Sequence, residues 1–272
     1  MISIIMATYN ELPRYIQESV ESILNQTYRN FELLIFDDST NEETIATLNN
    51  YMSDSRVKIY RYPQRMGFVP ALNKGLEMAK GRYIARMDAD DIALPERLEK
   101  EIKYLDANLE IAVVGGQMNI INEEGIVISS RKYPLGGLKL FLFSTIRNPM
   151  AHPTIMMRRE LVDRGFRYDE NLKMSEDLDL WLRVMNDSNK IANISETVLN
   201  YRVASDFIEK RTKQQQVEYM TYVRRKNFCF KRFIHSILSC LFGWVFLHMP
   251  TGIIKKMYNR ENTKKILDKE NA

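Results

Sequence analysis

Cysteine and histidine are scarce in this chain of 272 residues, which contains 2 Cys and 3 His. Cys229 and Cys240 lie in an apolar stretch, and their spacing matches neither a zinc site nor a disulfide framework. Two cysteines without a disulfide framework agree with a reducing compartment. Neither G-x-G-x-x-G nor G-x-x-x-x-G-K-[ST] occurs, so the usual dinucleotide and P-loop phosphate cradles are excluded.

A leader sequence and a long hydrophobic run are also missing from the first residues. "MISIIMATYN" has no basic segment, and its apolar run is too short for a signal peptide. We therefore expect a cytoplasmic protein. With 45% hydrophobic residues, the chain can bury a core and is not generally disordered.

Charge is distributed unevenly along the chain. Residues 210–272 contain 14 Lys or Arg against 4 Asp or Glu, whereas the whole protein has a net charge of only +4. A mildly acidic body with a basic tail predicts that the tail meets an anionic surface. The tail is also rich in apolar residues, which favours a membrane over nucleic acid.

Strand-like and helix-like segments alternate through the first hundred residues. Apolar runs at 2–7, 31–36, 57–60 and 82–87 predict strands. Ile16, Val20, Ile23 and Leu24 share one face of a helix, and similar patterns follow the later strands. This alternation predicts an α/β fold with a mainly parallel sheet. Further on, a hairpin turn at 122–125, a strand at 153–158 and a helix at 176–185 are expected.

Polar clusters follow three of the predicted strands, at 7–11, 37–40 and 88–91. Ligands bind α/β sheets outside the carboxyl ends of their strands, so these clusters predict one cleft. The third cluster contains Asp88, Asp90 and Asp91, and two carboxylates one residue apart can share Mg²⁺ or Mn²⁺. The alternative is structural, because Asp37, Asp38 and Asp91 could each cap a following helix.

Four segments together resemble family 2 glycosyltransferases of the GT-A type. They are "SIIMATYN", "QTYRNFELLIFDDST", "ALNKGLEMAKGRYIARMDADD" and "MSEDLDLWLRV", in that family's order and spacing. The likeness covers about residues 2–205 and is nearest to bacterial enzymes that build O-antigen or capsular repeat units. It implies an inverting, metal-dependent transfer of a hexose from a UDP-sugar.

The resemblance also implies roles for individual residues. The nucleotide-sugar pocket would use Ala7, Thr8, Tyr9, Glu11, Asp38, Arg65, Asp88 and Ala89. Asp90, with Asp88, would hold Mn²⁺ or Mg²⁺ on the donor diphosphate. Two departures leave the nucleotide open: Ala7 replaces the family's usual Pro, and "DDST" replaces "DDGS".

The second half of the chain would bind the acceptor. Asp177 resembles the family's catalytic base, which accepts the proton of the attacking sugar hydroxyl. Glu176, Trp181 and His152 would shape the acceptor side. Without the resemblance, a solvated first helical turn is the favoured interpretation of Glu176 and Asp177, and a core position that of Trp181 and His152.

These expectations divide the chain into a catalytic domain at 1–205, with halves 1–110 and 111–205, and a helical tail at 206–272. Residues 233–254 contain no charged side chain apart from histidine and have basic flanks, but the strongly apolar part is short for a membrane span. We expect it to lie in the interface of the inner membrane's cytoplasmic leaflet, near a lipid-linked saccharide acceptor. A buried helix pair is the alternative.

Other functions remain open at this point. The donor could be a UDP-N-acetylhexosamine or a dTDP-sugar. A nucleotidyltransferase would need a more basic loop after the first strand than "ATYNELPRY". A non-catalytic sugar-binding protein would have no use for Asp177 beside the donor cleft.

Overall fold

In the computed structural model, residues 1–204, 214–250 and 252–254 are described. The first half alternates strands and helices: β1 Ile2–Thr8, α1 Pro13–Leu24, β2 Phe31–Asp37, α2 Glu42–Asn49, β3 Val57–Tyr60, α3 Phe68–Met78, β4 Tyr83–Asp88, β5 Ile92–Ala93 and α4 Arg97–Ala107. The second half contains β6 Ile111–Ile121, β7 Val127–Arg131, α5 Gly137–Ile146, β8 Met156–Arg158, α6 Arg159–Asp163, α7 Glu176–Asn186, β9 Lys190–Arg202, α8 Gln214–Lys226 and α9 Phe233–His248.

The strands form one sheet in the order β3-β2-β1-β4-β8-β6-β9-β5, with β7 paired to β6. The strands β3, β2, β1 and β4 run parallel, as the alternating pattern predicted. Antiparallel pairing enters with β8, which joins β4 to β6, while β6 and β9 are parallel again. The predicted α/β sheet flanked by helices is confirmed.

Helices cover both faces of this sheet because its strands are apolar on both faces. Ile2, Ile4 and Met6 of β1 belong to one buried layer, while Ile5 points into the other. Gly75 of α3 lies over that second layer, and a Cβ there would come within 2.5 Å of Ile5 Cγ2. The glycine lets α3 pack close to β1.

Local differences from the predicted elements have simple causes. A 3-10 turn at His152–Thr154 takes up the start of the strand predicted at 153–158, because Pro153 has no N–H to donate to a ladder. The helix α5 was not predicted. Asn41 caps α2 by accepting from the Glu43 and Thr44 N–H groups, so the capping roles considered for Asp37 and Asp38 were wrong.

The described part of the tail packs on residues 1–204. Val223 of α8 is fully buried in the same layer as Trp181, and Lys226 contacts the carboxylates of Asp169 and Asp179 at 2.5 and 2.8 Å. The helix α9 packs against α5 and α8. The predicted boundary at 205/206 and the basic flank at 255–256 involve residues outside the described ranges, and the boundary stays a prediction.

Within the described ranges, one helical segment is long and apolar enough to cross a membrane. It is Phe230–His248, with 19 residues and a mean hydropathy of 1.3.

Candidate active site at the carboxyl edge of the sheet

The carboxyl ends of β1, β2 and β4 meet at one edge of the sheet. Thr8 is in register with Asp37 across the first pair, and Ala7 is in register with Asp88 across the second. The Asp38 N–H also donates to the Thr8 carbonyl at 3.0 Å. The three polar clusters predicted to form one cleft are therefore neighbours in space.

Asp88, Asp90 and Asp91 form a compact carboxylate cluster at this edge. One oxygen from each lies within 4.8 Å of the others. Burial, followed by the charges of Asp88 and Glu11, raises the pKa of Asp90 to about 7. Burial also raises the pKa of Asp91 well above its ordinary range, with the neighbouring carboxylates adding to the effect. This concentration of like charge suits a bound cation, and hard oxygen donors suit Mg²⁺ or Mn²⁺.

Asp91 differs from the other two acids of the cluster. It is completely buried, and one carboxylate oxygen accepts the Arg202 N–H at 2.8 Å. The other oxygen has no hydrogen-bond partner within the described ranges. The helix α4 begins at Arg97 with Glu96 before it, so the capping role considered for Asp91 was wrong.

Two buried arginines hold the cluster, and the sequence pattern identified neither. Arg86 on β4 donates to both carboxylate oxygens of Asp88. Arg202 at the end of β9 donates through Nε to the Asp90 carbonyl at 2.8 Å and through its second amino group to Glu18. A strand arginine in an otherwise apolar run was the available signal for Arg86. Arg202 lies more than a hundred residues from the cluster in sequence, so no local signal existed.

The predicted nucleotide side is organised around Glu11 and Asp38. Glu11 accepts from the Thr8 hydroxyl at 2.6 Å and the Tyr9 N–H at 2.7 Å. Asp38 accepts the N–H groups of Met66 and Gly67 at 3.0 and 2.6 Å, and Gly67 has a φ of 86° that favours glycine. These bonds fix both carboxylates, each of which retains further lone pairs for a ligand.

Other predicted nucleotide-site residues take different positions. The Arg65 guanidinium lies 3.6 Å from the centre of the Tyr9 ring, so the two side chains stack at the cleft rim. Ala7 is partly buried against the hydrophobic layer that contains Ile5. The Ala89 side chain is buried in the opposite layer, which leaves only its backbone to face a ligand.

Asp177 and Glu176 open helix α7, where the acceptor side was predicted. One Asp177 oxygen accepts from the side-chain amide of Asn148, and the other accepts the Leu178 N–H at 2.7 Å. Ser175, just before the helix, has a φ of 62°, which is uncommon for a residue with a side chain. Burial, followed by the charge of Asp177, raises the pKa of Glu176 to about 7.

His152 connects the two sides of the cleft. Its Nε2 lies 2.8 Å from the Tyr168 hydroxyl, and its Nδ1 lies 4.0 Å from Glu176. Burial, and then the charge of Arg86, lowers the pKa of His152 well below its ordinary value. The imidazole is therefore neutral at pH 7. Trp181 contacts His152 edge to face and is completely buried, so it can support the acceptor side only from beneath.

The donor and acceptor sides share one electrostatic environment. The charges of Arg86 and Asp88 both act on Glu176, and Arg86 lies over the ring of Phe68, whose edge meets His152. A carboxylate cluster suited to a cation thus lies near Asp177, a carboxylate held in place by Asn148. Such an arrangement can bind a diphosphate and accept a proton nearby.

Comparison with known proteins agrees with this geometry. A family model described as Glycosyl transferase family 2 matches residues 3–166. The O-antigen biosynthesis glycosyltransferase WbnJ of Escherichia coli is 39% identical, over 94% of this chain and 97% of its own length. A second E. coli relative is 28% identical, over 97% of this chain and 98% of its own length: the UDP-Glc:alpha-D-GlcNAc-diphosphoundecaprenol beta-1,3-glucosyltransferase WfgD.

A solved structure has the same fold at lower sequence similarity. The mannosyltransferase PcManGT of Pyrobaculum calidifontis, in complex with GDP-Man and Mn²⁺, superposes with a TM-score of 0.66. It is 15% identical, and the match covers 96% of this chain and 83% of that chain.

Proposed function

The chain belongs to glycosyl transferase family 2, and from this premise we propose that it transfers a hexose from a UDP-sugar to a lipid-linked saccharide. The acceptor would be carried on a polyprenyl diphosphate, and the product would enter O-antigen, capsule or exopolysaccharide. The observation that carries the proposal is the carboxylate cluster of Asp88, Asp90 and Asp91 beside Asp177.

The cluster fits a resident Mn²⁺ or Mg²⁺ ion. Three carboxylates offer hard oxygens within 4.8 Å, and the pKa of Asp90 is raised by burial and then by like charge, which a cation would neutralise. Asp90 and Asp88 would hold the ion, with the buried Asp91 behind them. When bound, the ion would supply positive charge for the donor diphosphate.

The UDP part of the donor would lie against the ends of β1 and β2. Tyr9 offers a ring and a backbone beside the base, and Asp38 has lone pairs for the uracil N3–H. Arg65, stacked on Tyr9, places a cation at the same rim.

Asp177 would act as the general base. Its carboxylate accepts the proton of the acceptor hydroxyl while that oxygen forms a bond to C1 of the donor sugar. The bond between C1 and the diphosphate oxygen breaks on the opposite side, and UDP leaves with the bonding electrons. A single in-line displacement inverts the anomeric centre, so an α-linked donor gives a β-linked product. Glu176 and His152 would border the acceptor.

A lipid-linked acceptor calls for an enzyme at the cytoplasmic face of the inner membrane. The basic, apolar tail at 206–272 supports that location, since basic residues beside an apolar segment are attracted to anionic lipid.

The test is a UDP-release assay over a panel of nucleotide sugars, with and without Mn²⁺, following slow hydrolysis of the donor. Metal-dependent release from one UDP-hexose is the expected result, and Asp90→Asn should abolish it. Asp163→Asn, which changes an exposed carboxylate on α6, is the matched control. If Asp90→Asn released UDP at the wild-type rate, the metal assignment would be wrong.

A further inference from the structure

The burial pattern of helix α9 is the reverse of that of an ordinary surface helix. Its buried positions are polar or small: His235, Ser236, Ser239 and Gly243. Its exposed face is apolar and aromatic: Phe233, Ile234, Ile237, Leu241, Trp244 and Val245. Ile234 is 76% exposed and Trp244 is 51% exposed. An exposed apolar face of this extent marks an interaction surface.

The inner side of α9 is held by polar contacts with α5 and α8. His235 Nε2 lies 2.8 Å from the Ser144 hydroxyl of α5. The Thr221 hydroxyl of α8 donates to the Gly243 carbonyl at 3.0 Å, and a Cβ on Gly243 would approach that hydroxyl to 3.2 Å. Small residues and interhelical hydrogen bonds of this kind are how helices associate when their outer faces meet lipid.

Helix α5, which packs against α9, adds exposed apolar side chains of its own, although it lies within residues 1–205. It buries Ser144 and Thr145 and exposes Leu138 and Leu142, which are 70% and 47% exposed. Like α9, it buries polar side chains and exposes apolar ones, although the apolar Leu140 is buried as well. The tail alone therefore does not account for the apolar surface.

The charged residues along these two helices are all of one sign. The sequence has no Asp or Glu between Glu124 and Glu160, a stretch that contains α5, and none between Glu218 and Glu261, a stretch that contains α9. Lys139 on α5 and Lys231 before α9 are exposed. Basic residues beside an apolar face match the anionic surface of a bilayer.

We propose that α5 and α9 together form one membrane-contacting face, which seats the catalytic domain on anionic lipid with the Asp177 side of its cleft near the bilayer. This inference rests on the proposed function for its acceptor. Since the polar side of α9 is bonded to α5 and α8, the helix lies in the interface rather than crossing the membrane.

The chain connects this face directly to the proposed base. Leu142 precedes Asn148 by six residues, which is about 13 Å along a helix and a short extended segment. Asn148 donates to the Asp177 carboxylate. A saccharide that emerges from the bilayer on a lipid diphosphate would thus find the base close to the lipid surface.

The two tryptophans allow a direct test on the full chain. Trp244 is exposed on the proposed face, whereas Trp181 is completely buried. Vesicles of phosphatidylcholine and phosphatidylglycerol should shift the emission of Trp244 to the blue, and brominated acyl chains should quench it. Trp244→Phe retains only Trp181 and should show neither effect.

The contribution of α5 needs its own reporter. In the Trp244→Phe background, Leu142→Trp should be quenched by brominated lipid. Met52→Trp should not be, because Met52 is exposed beyond α2, beside the opposite edge of the sheet. Leu142→Glu should weaken partition into anionic vesicles about tenfold. The same substitution should lower the turnover of a long-chain lipid-linked acceptor by a similar factor. The rate of donor hydrolysis should stay unchanged.

Three outcomes would overturn the proposal. Quenching at 244 without quenching at 142 would mean that the tail alone binds lipid. No quenching together with a dimer in sedimentation would assign the face to a second copy of the chain. No quenching from a monomer would mean that the face does not bind these lipids. Each leaves UDP release intact, whereas loss of UDP release from the wild-type protein would refute the proposed function instead.

Discussion

Replacing Asp90 with asparagine should stabilise the metal-free protein, even though it removes activity. Burial and the charges of Asp88 and Glu11 raise the Asp90 pKa from 3.8 to about 7. At about 1.4 kcal/mol per pKa unit this corresponds to about 4 kcal/mol of destabilisation for the ionised group. Because Asp90 is only partly buried, water reduces the penalty to about 2 kcal/mol.

The pH dependence follows from the direction of the shift. Below about pH 3.8 the carboxyl group is protonated in both the folded and the unfolded chain, so it contributes no penalty. Between pH 3.8 and about 7 the unfolded chain loses the proton first, and the free energy of unfolding falls as pH rises. Above about pH 7 the penalty is constant. Asp90→Asn removes this decline.

Thermal unfolding in the presence of a chelator is the assay. At pH 8 the Tm of Asp90→Asn should exceed that of the wild type by about 5 °C, and the difference should shrink steadily toward pH 4. Adding Mn²⁺ should then raise the wild-type Tm, by about 2.7 kcal/mol of stability at a hundredfold excess over Kd, and leave the variant unchanged. The Tm of Asp163→Asn should equal that of the wild type at each pH, with and without Mn²⁺.

A variant that is less stable than the wild type would contradict the proposed repulsion among the carboxylates. If Asp90→Asn were less stable than the wild type at pH 8 without metal, Asp90 would be stabilising the fold and the cluster would not be strained by like charge. A Tm difference independent of pH would also contradict the raised pKa.

Three further predictions concern the groups around the cluster and the base. Asn148→Ala should lower kcat about 100-fold with little change in the KM for the donor, because it misplaces Asp177; a changed donor KM with intact kcat would contradict this, as would full activity. Arg202→Ala should raise the Mn²⁺ concentration needed for half-maximal activity about 10- to 100-fold, whereas Arg202→Lys should recover part of the loss; an unchanged metal requirement would remove Arg202 from the site. His152 should already be neutral at pH 6.5, because burial and then the charge of Arg86 lower its pKa well below that value; ring nitrogen shifts that titrate near pH 6.5 would show this to be wrong.

Much of the donor half could be predicted because its signals are local. The runs at 2–7, 31–36 and 82–87 became β1, β2 and β4 with small changes at their ends. Once those strands were parallel neighbours, the polar residues that follow them had to meet at one edge. The position of Asp88, Asp90 and Asp91 therefore followed from strand pattern alone. Similarly, the periodicity of Leu178, Leu182 and Met185 sufficed to predict α7.

The contacts that organise the site could not be predicted in this way. Arg202 reaches Asp90 and Asp91 across more than a hundred residues, and Asn148 reaches Asp177 from another element. Nothing in the sequence near either partner encodes such a pairing. The capping of α2 is different, because Asn41 directly precedes the helix and meets its free N–H groups, a local signal that was overlooked in favour of Asp37 and Asp38.

The α/β class, the strand-end carboxylates and the family follow from the amino-acid sequence, because hydrophobic periodicity and motif spacing are properties of neighbouring residues. The buried arginines that hold those carboxylates, and the face of α9 that is turned outward, depend on contacts between distant segments of the folded chain. An apolar helix with a few serines and a histidine can bury either side. The side that is buried depends on the helices against which it packs. Here Ser144 of α5 and Thr221 of α8 bond to the polar side, which leaves the apolar side exposed.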